Sequence, residues 1–191
     1  SVEYYNATTT DLLLAVQVPS ALGFTNALTN IGEVENTGIE LTLTSRNTTG
    51  KLKWRTDLNF VTVNNEVKRL GPSGDPILSS GGAGNRHITE IGSAIGSYYG
   101  YQTDGIYQNQ AEIDAGPVDQ IATPHPGDFR WVDVNNDGFI NAEDRTVLGN
   151  YLPDFTYGIT NTLSYENVSF SFLIQGVQGS EVLNLTRRHM G

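Results

Sequence analysis

Apolar and polar side chains alternate with a period of two near both ends of the chain. From Gly38 onward, Ile39, Leu41 and Leu43 project to one side, and Glu40, Thr42 and Thr44 to the other. That alternation is the mark of an extended strand with one buried or lipid-covered face. Arg46-Asn47-Thr48-Thr49-Gly50 then reads as a tight turn. Beyond it the alternation resumes, with Leu52, Trp54, Leu58 and Phe60 on one face and Lys53, Arg55, Asp57 and Asn59 on the other. The final third repeats the scheme. Phe155, Tyr157, Ile159, Leu163 and Tyr165 share a face opposite Thr156, Gly158, Thr160, Thr162 and Ser164. The two residues Glu166-Asn167 then lead into a strand whose apolar side is Val168, Phe170, Phe172 and Ile174. A further strand is expected over Val2–Thr8.

Two architectures fit such strands. The apolar faces either pack together as a soluble β-sandwich or face lipid while the polar faces line a wet lumen. In the second case Ile39, Leu41, Trp54, Phe60, Ile159 and Phe172 meet lipid, and Glu40, Lys53, Arg55, Asp57 and Thr160 line the lumen. Connection lengths favour the second. The turns at Arg46–Gly50 and Glu166–Asn167 are minimal, whereas Leu14–Gly32, Asn64–Leu152 and the segment after Gln175 are long. Short turns at one end of a barrel and long loops at the other are the rule in outer-membrane barrels. Tyr4, Tyr5, Trp54, Tyr151 and Tyr165 near the strand ends fit an interfacial aromatic girdle.

The middle segment, 65–151, exceeds an ordinary loop. It opens with turn-rich stretches at Gly71–Pro76 and Ser79–Gly84. Structure is expected to resume over Ile95–Gln108, with a short helical turn over Gln110–Ala115.

Composition narrows the choice. The chain has 191 residues, of which 38% are hydrophobic and 17% charged. No apolar run approaches the ~20 residues of a membrane-spanning helix, and no heptad pattern marks a coiled coil. There is no cysteine, so disulfides, thiolate metal sites and a cysteine nucleophile are excluded. The formal net charge of −10 argues against nucleic-acid binding, which needs clustered Lys and Arg. The acidity is local. Between Gly100 and Phe155, ten acids face only Arg130 and Arg145, a net −8, while nine bases and eleven acids leave the remainder at −2. Such an imbalance suggests a cation site.

One motif has the spacing for it. Asp133-Val134-Asn135-Asn136-Asp137-Gly138-Phe139-Ile140-Asn141-Ala142-Glu143-Asp144 places oxygen donors at positions 1, 3, 5, 7, 9 and 12 of a calcium loop. The ligands are then Asp133, Asn135, Asp137, the Phe139 carbonyl, Asn141 and Asp144. Gly138 stands where the chain turns sharply, and Ile140 would anchor the loop to a core. Asp at position 12, in place of the usual Glu, resembles dockerin-type loops. Pro124 and Pro126 exclude an ordinary EF-hand helix before the loop. The expected ion is a structural Ca²⁺; the competing reading is a metal-free Asx-rich turn.

Other chemistry is sparse. His87, His125 and His189 are isolated, and neither a Gly-x-Ser-x-Gly elbow nor a phosphate-binding Walker loop is present. No enzyme is expected. Tyr98, Tyr99, Tyr101 and Tyr107 either stack on a sugar or pack within the loop. Asn6-Ala7-Thr8 and Asn167-Val168-Ser169 match glycosylation sequons, a chance event in an Asn- and Thr-rich chain.

Several segments together carry a resemblance. They are Tyr4-Tyr5-Asn6-Ala7-Thr8-Thr9-Thr10-Asp11-Leu12-Leu13, Asn30-Ile31-Gly32-Glu33-Val34-Glu35-Asn36-Thr37-Gly38-Ile39-Glu40-Leu41, Ile95-Gly96-Ser97-Tyr98-Tyr99-Gly100-Tyr101 and Asp104-Gly105-Ile106-Tyr107-Gln108. Pro126-Gly127-Asp128-Phe129-Arg130-Trp131-Val132-Asp133, Asp144-Arg145-Thr146-Val147-Leu148-Gly149 and Pro153-Asp154-Phe155-Thr156-Tyr157-Gly158 complete the series. In this order they resemble the late barrel and large extracellular loop of SusC/RagA-type TonB-dependent receptors of Bacteroidetes. The resemblance implies an all-β fold: antiparallel transmembrane strands belonging to a 22-stranded barrel with an internal plug. It also implies a bacterial outer-membrane location, TonB as energy source, a SusD-like surface lipoprotein as partner, and import of an oligosaccharide or peptide. About five strands are legible here, so the chain is expected to be a piece of such a receptor. Residues 1–64 would give barrel strands and a hairpin, 65–151 the extracellular loop, and 152–191 a second hairpin and the start of the next loop. The alternative is a soluble calcium- or carbohydrate-binding β module.

Overall fold

The computed structural model describes residues 1–17, 26–71, 73–80 and 85–184. The strands in chain order begin with β1 (Val2–Gln17), β2 (Asn26–Thr49), β3 (Leu52–Thr62) and β4 (Asn64–Leu70). Next come β5 (Ile77–Ser80), β6 (Asn85–Thr89), β7 (Ser97–Tyr101) and β8 (Thr103–Ile106), then helix α1 (Gln110–Ala115). The remainder are β9 (Val118–Asp119), β10 (Phe129–Trp131), β11 (Phe139–Ile140), β12 (Arg145–Gly149), β13 (Phe155–Tyr165) and β14 (Val168–Gln178). The fold is all-β, and its main sheet is antiparallel throughout. The chain divides into two compact units, one of Ser1–Ile77, Thr89–Ile95 and Asn150–Gly191, the other of Leu78–Ile88 and Gly96–Gly149.

The first unit is a sheet in the order β1-β2-β3-β13-β14. Its register puts every expected apolar position on one face. Across the sheet, Leu41, Phe60, Tyr157 and Gly176 form one row, and Leu43, Leu58, Ile159 and Ile174 the next. Trp54, Leu163 and Phe170 lie in a third row, and Leu52, Tyr165 and Val168 in a fourth. The opposite face carries Glu40, Thr42, Asn59, Asp57, Arg55, Thr160, Thr162 and Ser164. Among the described residues no protein layer covers the apolar face: Val168 is 71% exposed, Phe170 62%, Leu43 54% and Ile174 52%. A sandwich would bury these residues, yet the buried apolar side chains among the described residues are Val34, Val67, Leu70, Ile88, Ala94, Tyr107 and Ile140.

Two glycines are required by close approach. A Cβ on Gly38 would run into the Tyr5 hydroxyl and the Thr62 carbonyl oxygen, and one on Gly176 into the Tyr157 ring. Tyr5 pairs with Gly38 and so lies on the polar face, opposite Tyr4. It therefore leaves the girdle expected from sequence. The two-residue turn holds Glu166 at φ 51°, a left-handed conformation that a side chain adopts at a cost.

The strand expected over Val2–Thr8 runs on to Gln17, and β2 starts at Asn26, so paired strands fill most of the connection expected over Leu14–Gly32. Residues 18–25, 72, 81–84 and 185–191, with His189, lie outside the described residues. β4 continues β3 along β2 in the same register, from Glu40↔Val61 to Thr37↔Asn64. In this distal half the sense of the faces inverts. Val34, Val67 and Leu70, on the side that carries Glu40 and Arg55 below, form a core with Leu12, Ile77 and Ile95. A bulge at Thr10–Asp11, with Asp11 at φ 57°, turns Leu12 into that core. The other side becomes charged: Lys68 bridges Glu35 at 2.9 Å and Glu66 at 2.8 Å. Residues 89–95 lie along β4 through Val67 N–H to the Ser93 carbonyl and Gly92 N–H to the Val67 carbonyl, both 2.9 Å.

The second unit holds a four-stranded sheet, β12-β7-β6-β5, and two small pairs, β10-β8 and β11-β9. The helical turn expected over Gln110–Ala115 is α1, capped by the Asn109 side chain, which accepts from Glu112 N–H at 3.0 Å.

Candidate functional site

The expected calcium loop lies in the second unit between β10 and β12 and is built by its own side chains. Asp133 accepts from Asp137 N–H at 3.2 Å and from Gly138 N–H at 2.8 Å. Asn135 accepts from Asp137 N–H at 3.1 Å, and Asp137 from Phe139 N–H at 2.8 Å. Gly138 has φ 85° and Asn136 φ 59°, which let the backbone curl round these oxygens. Ile140 is the anchor its position suggested, 1% exposed. The β11-β9 pairing is carried by the Gly138 and Ile140 carbonyls, accepting from Val118 and Gln120 at 2.9 Å each. Those carbonyls alternate along the strand with that of Phe139.

Asp144 is the most constrained of the six. Fully buried, it accepts from Val134 N–H at 2.9 Å and Asn141 N–H at 2.8 Å, one bond to each carboxylate oxygen. Asn141 in turn accepts from Glu143 N–H at 2.7 Å. Among the described residues no three His, Cys, Asp or Glu side chains gather as a metal cluster. All six expected ligands thus lie on one loop, and each of the five side-chain oxygen donors is engaged with backbone N–H groups. A carboxylate oxygen has two lone pairs, so one such bond leaves it a lone pair with which to ligate a cation.

Around the loop, aromatic and charged groups are packed rather than free. The Arg145 guanidinium stands 4.3 Å from the Tyr99 ring centroid and 6.0 Å from that of Tyr101. The Tyr101 and Trp131 rings are 5.8 Å apart, and those of His87 and Tyr98 5.6 Å. Tyr107 is 2% exposed, and burial, reinforced by Asp119, pushes its hydroxyl pKa up. Packing therefore accounts for Tyr107. Arg130 is held above its ordinary pKa by its 2.6 Å bond to Asp104.

The polar face of the first unit is a second candidate surface. It carries Glu40, Lys53, Arg55, Asp57 and Thr160 together, as the alternation requires. Asp57 accepts from Thr44 at 2.7 Å and pairs with Arg55 at 2.8 Å. On the apolar face, a row that sequence reading passed over holds Ser45, Thr56 and Asn161 in register. The Asn161 side-chain oxygen Oδ1 accepts from Trp54 Nε1 at 3.0 Å and Thr56 Oγ1 at 2.7 Å. The signal was present: Thr56 and Asn161 interrupt otherwise apolar runs at matching heights.

No protein-family model matches the chain. It is 34% identical, over 100% of its length, to TonB-dependent receptor P3 of Formosa agariphila, of which it covers 20%. TonB-dependent receptor P26 of the same organism is 36% identical over 98% of the chain, and TonB-dependent receptor SusC of Bacteroides thetaiotaomicron 26% over 91%. The chain spans about one-fifth of the length of the relatives it matches. Among solved structures, the RagAB peptide transporter superposes on 91% of the chain with a TM-score of 0.68 at 20% identity. The RagAB peptide importer in its open-open state covers 94% with a TM-score of 0.71 at 21% identity, the chain matching 18% of each. These likenesses establish the fold.

Proposed function

This chain is a relative of the SusC/RagA-type TonB-dependent receptors, and from that kinship we propose that it forms a stretch of outer-membrane barrel wall together with the extracellular loop that the wall carries. The whole receptor would import a glycan or peptide, energised through TonB and working with a SusD-like surface lipoprotein. The observation that carries the reading is the two-faced sheet. Its apolar face is exposed over five strands and its opposite face carries Glu40, Lys53, Arg55, Asp57 and Thr160, which suits a wall between hydrocarbon and a wet lumen. A soluble module would have to bury that apolar face. Closure into a 22-stranded barrel is part of the proposal, since five strands leave two open edges that lipid does not tolerate.

The test uses the intact receptor in outer membranes, with single cysteines placed on neighbouring residues, Ile159→Cys and Thr160→Cys. Position 160 should react with a water-soluble maleimide and position 159 only with a lipid-soluble one. Equal aqueous reactivity at both positions would remove the wall assignment.

For the loop at Asp133–Asp144 we propose a structural calcium clasp. The support is the donor spacing, the hard oxygen chemistry of Asp133, Asn135, Asp137, Phe139, Asn141 and Asp144, and the lone pairs that the N–H bonds leave free. The cation would neutralise part of the local negative charge and hold the loop in one shape.

A further inference from the structure

The aromatic rings beside the loop at Asp133–Asp144 continue outward to an open end. Phe129 and Ile106 are cross-strand partners on the β10-β8 pair, and they are 60% and 46% exposed. The Phe129 ring centroid lies 5.6 Å from that of Trp131, and Trp131 lies 5.8 Å from Tyr101. Trp131 and Tyr101 are half-buried, so the row opens to solvent at the Phe129 end. An exposed row of rings in a segment otherwise rich in polar residues marks a contact surface.

The surroundings of the row select the chemistry of what it contacts. Between Gly100 and Phe155, two bases stand against ten acids, a net −8, which repels an anion. A cationic ligand meets positions that are already taken. Arg145 stands 4.3 Å from the Tyr99 centroid and 6.0 Å from that of Tyr101. Arg130 donates to Asp104 Oδ1 at 2.6 Å, and Asp128 Oδ2 accepts from His125 N–H at 2.8 Å. The second oxygens of Asp104 and Asp128 make no hydrogen bond among the described residues, so they remain acceptors for hydroxyl groups. An uncharged body with flat C–H faces and a rim of hydroxyls fits both the rings and these acceptors. The C–H groups of a sugar ring carry partial positive charge and lie favourably on the negative face of an aromatic ring.

We propose that Phe129, Trp131 and Tyr101 form a stacking platform for an uncharged oligosaccharide. The proposal rests on the receptor reading and deepens it: of the two substrate classes, glycan and peptide, it selects the glycan.

The test applies the intact receptor, purified from outer membranes, to an array of neutral oligosaccharides and to an array of peptides of mixed charge. At least one neutral oligosaccharide should bind, and it should protect Phe129 and Trp131 from hydroxyl-radical oxidation read by mass spectrometry. Phe129→Ala should raise its Kd about ten-fold, whereas Phe129→Tyr, which keeps a ring, should stay within about two-fold of wild type. Binding of peptides alone, binding on neither array, or an unchanged Kd in Phe129→Ala would overturn the platform. So would loss, in Phe129→Ala, of a co-purifying polypeptide with oligosaccharide binding intact, since the row would then be a protein contact. Failure of the receptor reading shows elsewhere. Phe129→Cys on whole cells should react with a membrane-impermeant maleimide, and no reaction there removes the extracellular placement whatever the arrays give. Reaction at position 129 without oligosaccharide binding refutes the platform alone.

Discussion

Phe172 and Leu173 are adjacent on β14, yet they point to opposite faces, and the wall assignment predicts unequal penalties for the same substitution. β13 spans Phe155–Tyr165, eleven residues. Ten steps at ~3.4 Å give ~34 Å of strand, and a tilt near 40–45° reduces this to a height of ~25 Å, the thickness of a barrel's apolar band. Phe172 pairs with Asn161, four residues from Tyr165 and six from Phe155. It therefore sits roughly 10 Å from the turn end of that band, close to its middle. An arginine there should cost about 2–4 kcal/mol, a roughly thirty-fold to several-hundred-fold loss in the folding equilibrium. Leu173 pairs with Thr160, itself opposite Asp57, so an arginine at 173 meets water and a nearby carboxylate and should change stability by no more than ~0.5 kcal/mol. The measurement is guanidinium unfolding of the intact receptor in phospholipid vesicles, followed by tryptophan fluorescence and by the heat-modifiable band. Equal losses for Phe172→Arg and Leu173→Arg, or a larger loss at 173, would refute the assignment of faces.

Two further outcomes follow from the site and the distal sheet. With calcium present, the segment around 133–144 of the intact receptor should resist proteolysis, and chelator or the Asp133→Ala, Asp137→Ala double variant should abolish that protection while the barrel still assembles. Identical digestion in all three conditions would leave a metal-free Asx turn. In the distal half, Glu35 is held below its ordinary 4.5, chiefly by the hydrogen bond from Lys68 and then by that from Asn6. The unfolded chain therefore binds this proton first as pH falls, and the stabilisation is complete above about pH 4.5 and lost through the lower, folded value. Lys68 is raised, first by Glu66 and then by Glu35, so its share is complete below about 10.5 and lost as pH rises through the folded value. Amide exchange at Val67 in the intact receptor, corrected for intrinsic rates, should accelerate below about pH 4.5. That acid limb should be weaker in Lys68→Gln; an unchanged limb would dissociate it from this cluster.

The sequence by itself determined the faces of the main strands and the two-residue turn Glu166–Asn167, but not the first short turn, since β2 pairs with β3 as far as Thr49, through most of the turn expected at Arg46–Gly50. Period-two alternation is a local property: once Leu52, Trp54, Leu58 and Phe60 share a side of an extended chain, no tertiary partner is needed to know it. The loop at Asp133–Asp144 was legible for the same reason, because its donors, its turn glycine and its anchor Ile140 lie within twelve consecutive residues. What only the tertiary structure decided depends on which strands are neighbours. Arg46 opposite Arg55, and Asn161 beside Thr56 and Trp54, are cross-strand relations set by register. The exposure of the apolar face also had to be seen, since alternation looks the same whether protein or lipid covers it. Least accessible was the inversion beyond Gly38. Val34, Val67 and Leu70 are apolar on the face that is polar below, because there the face packs against Ile77 and Ile95 from the long insertion. A pattern read along one strand has no means of registering that its surroundings change halfway.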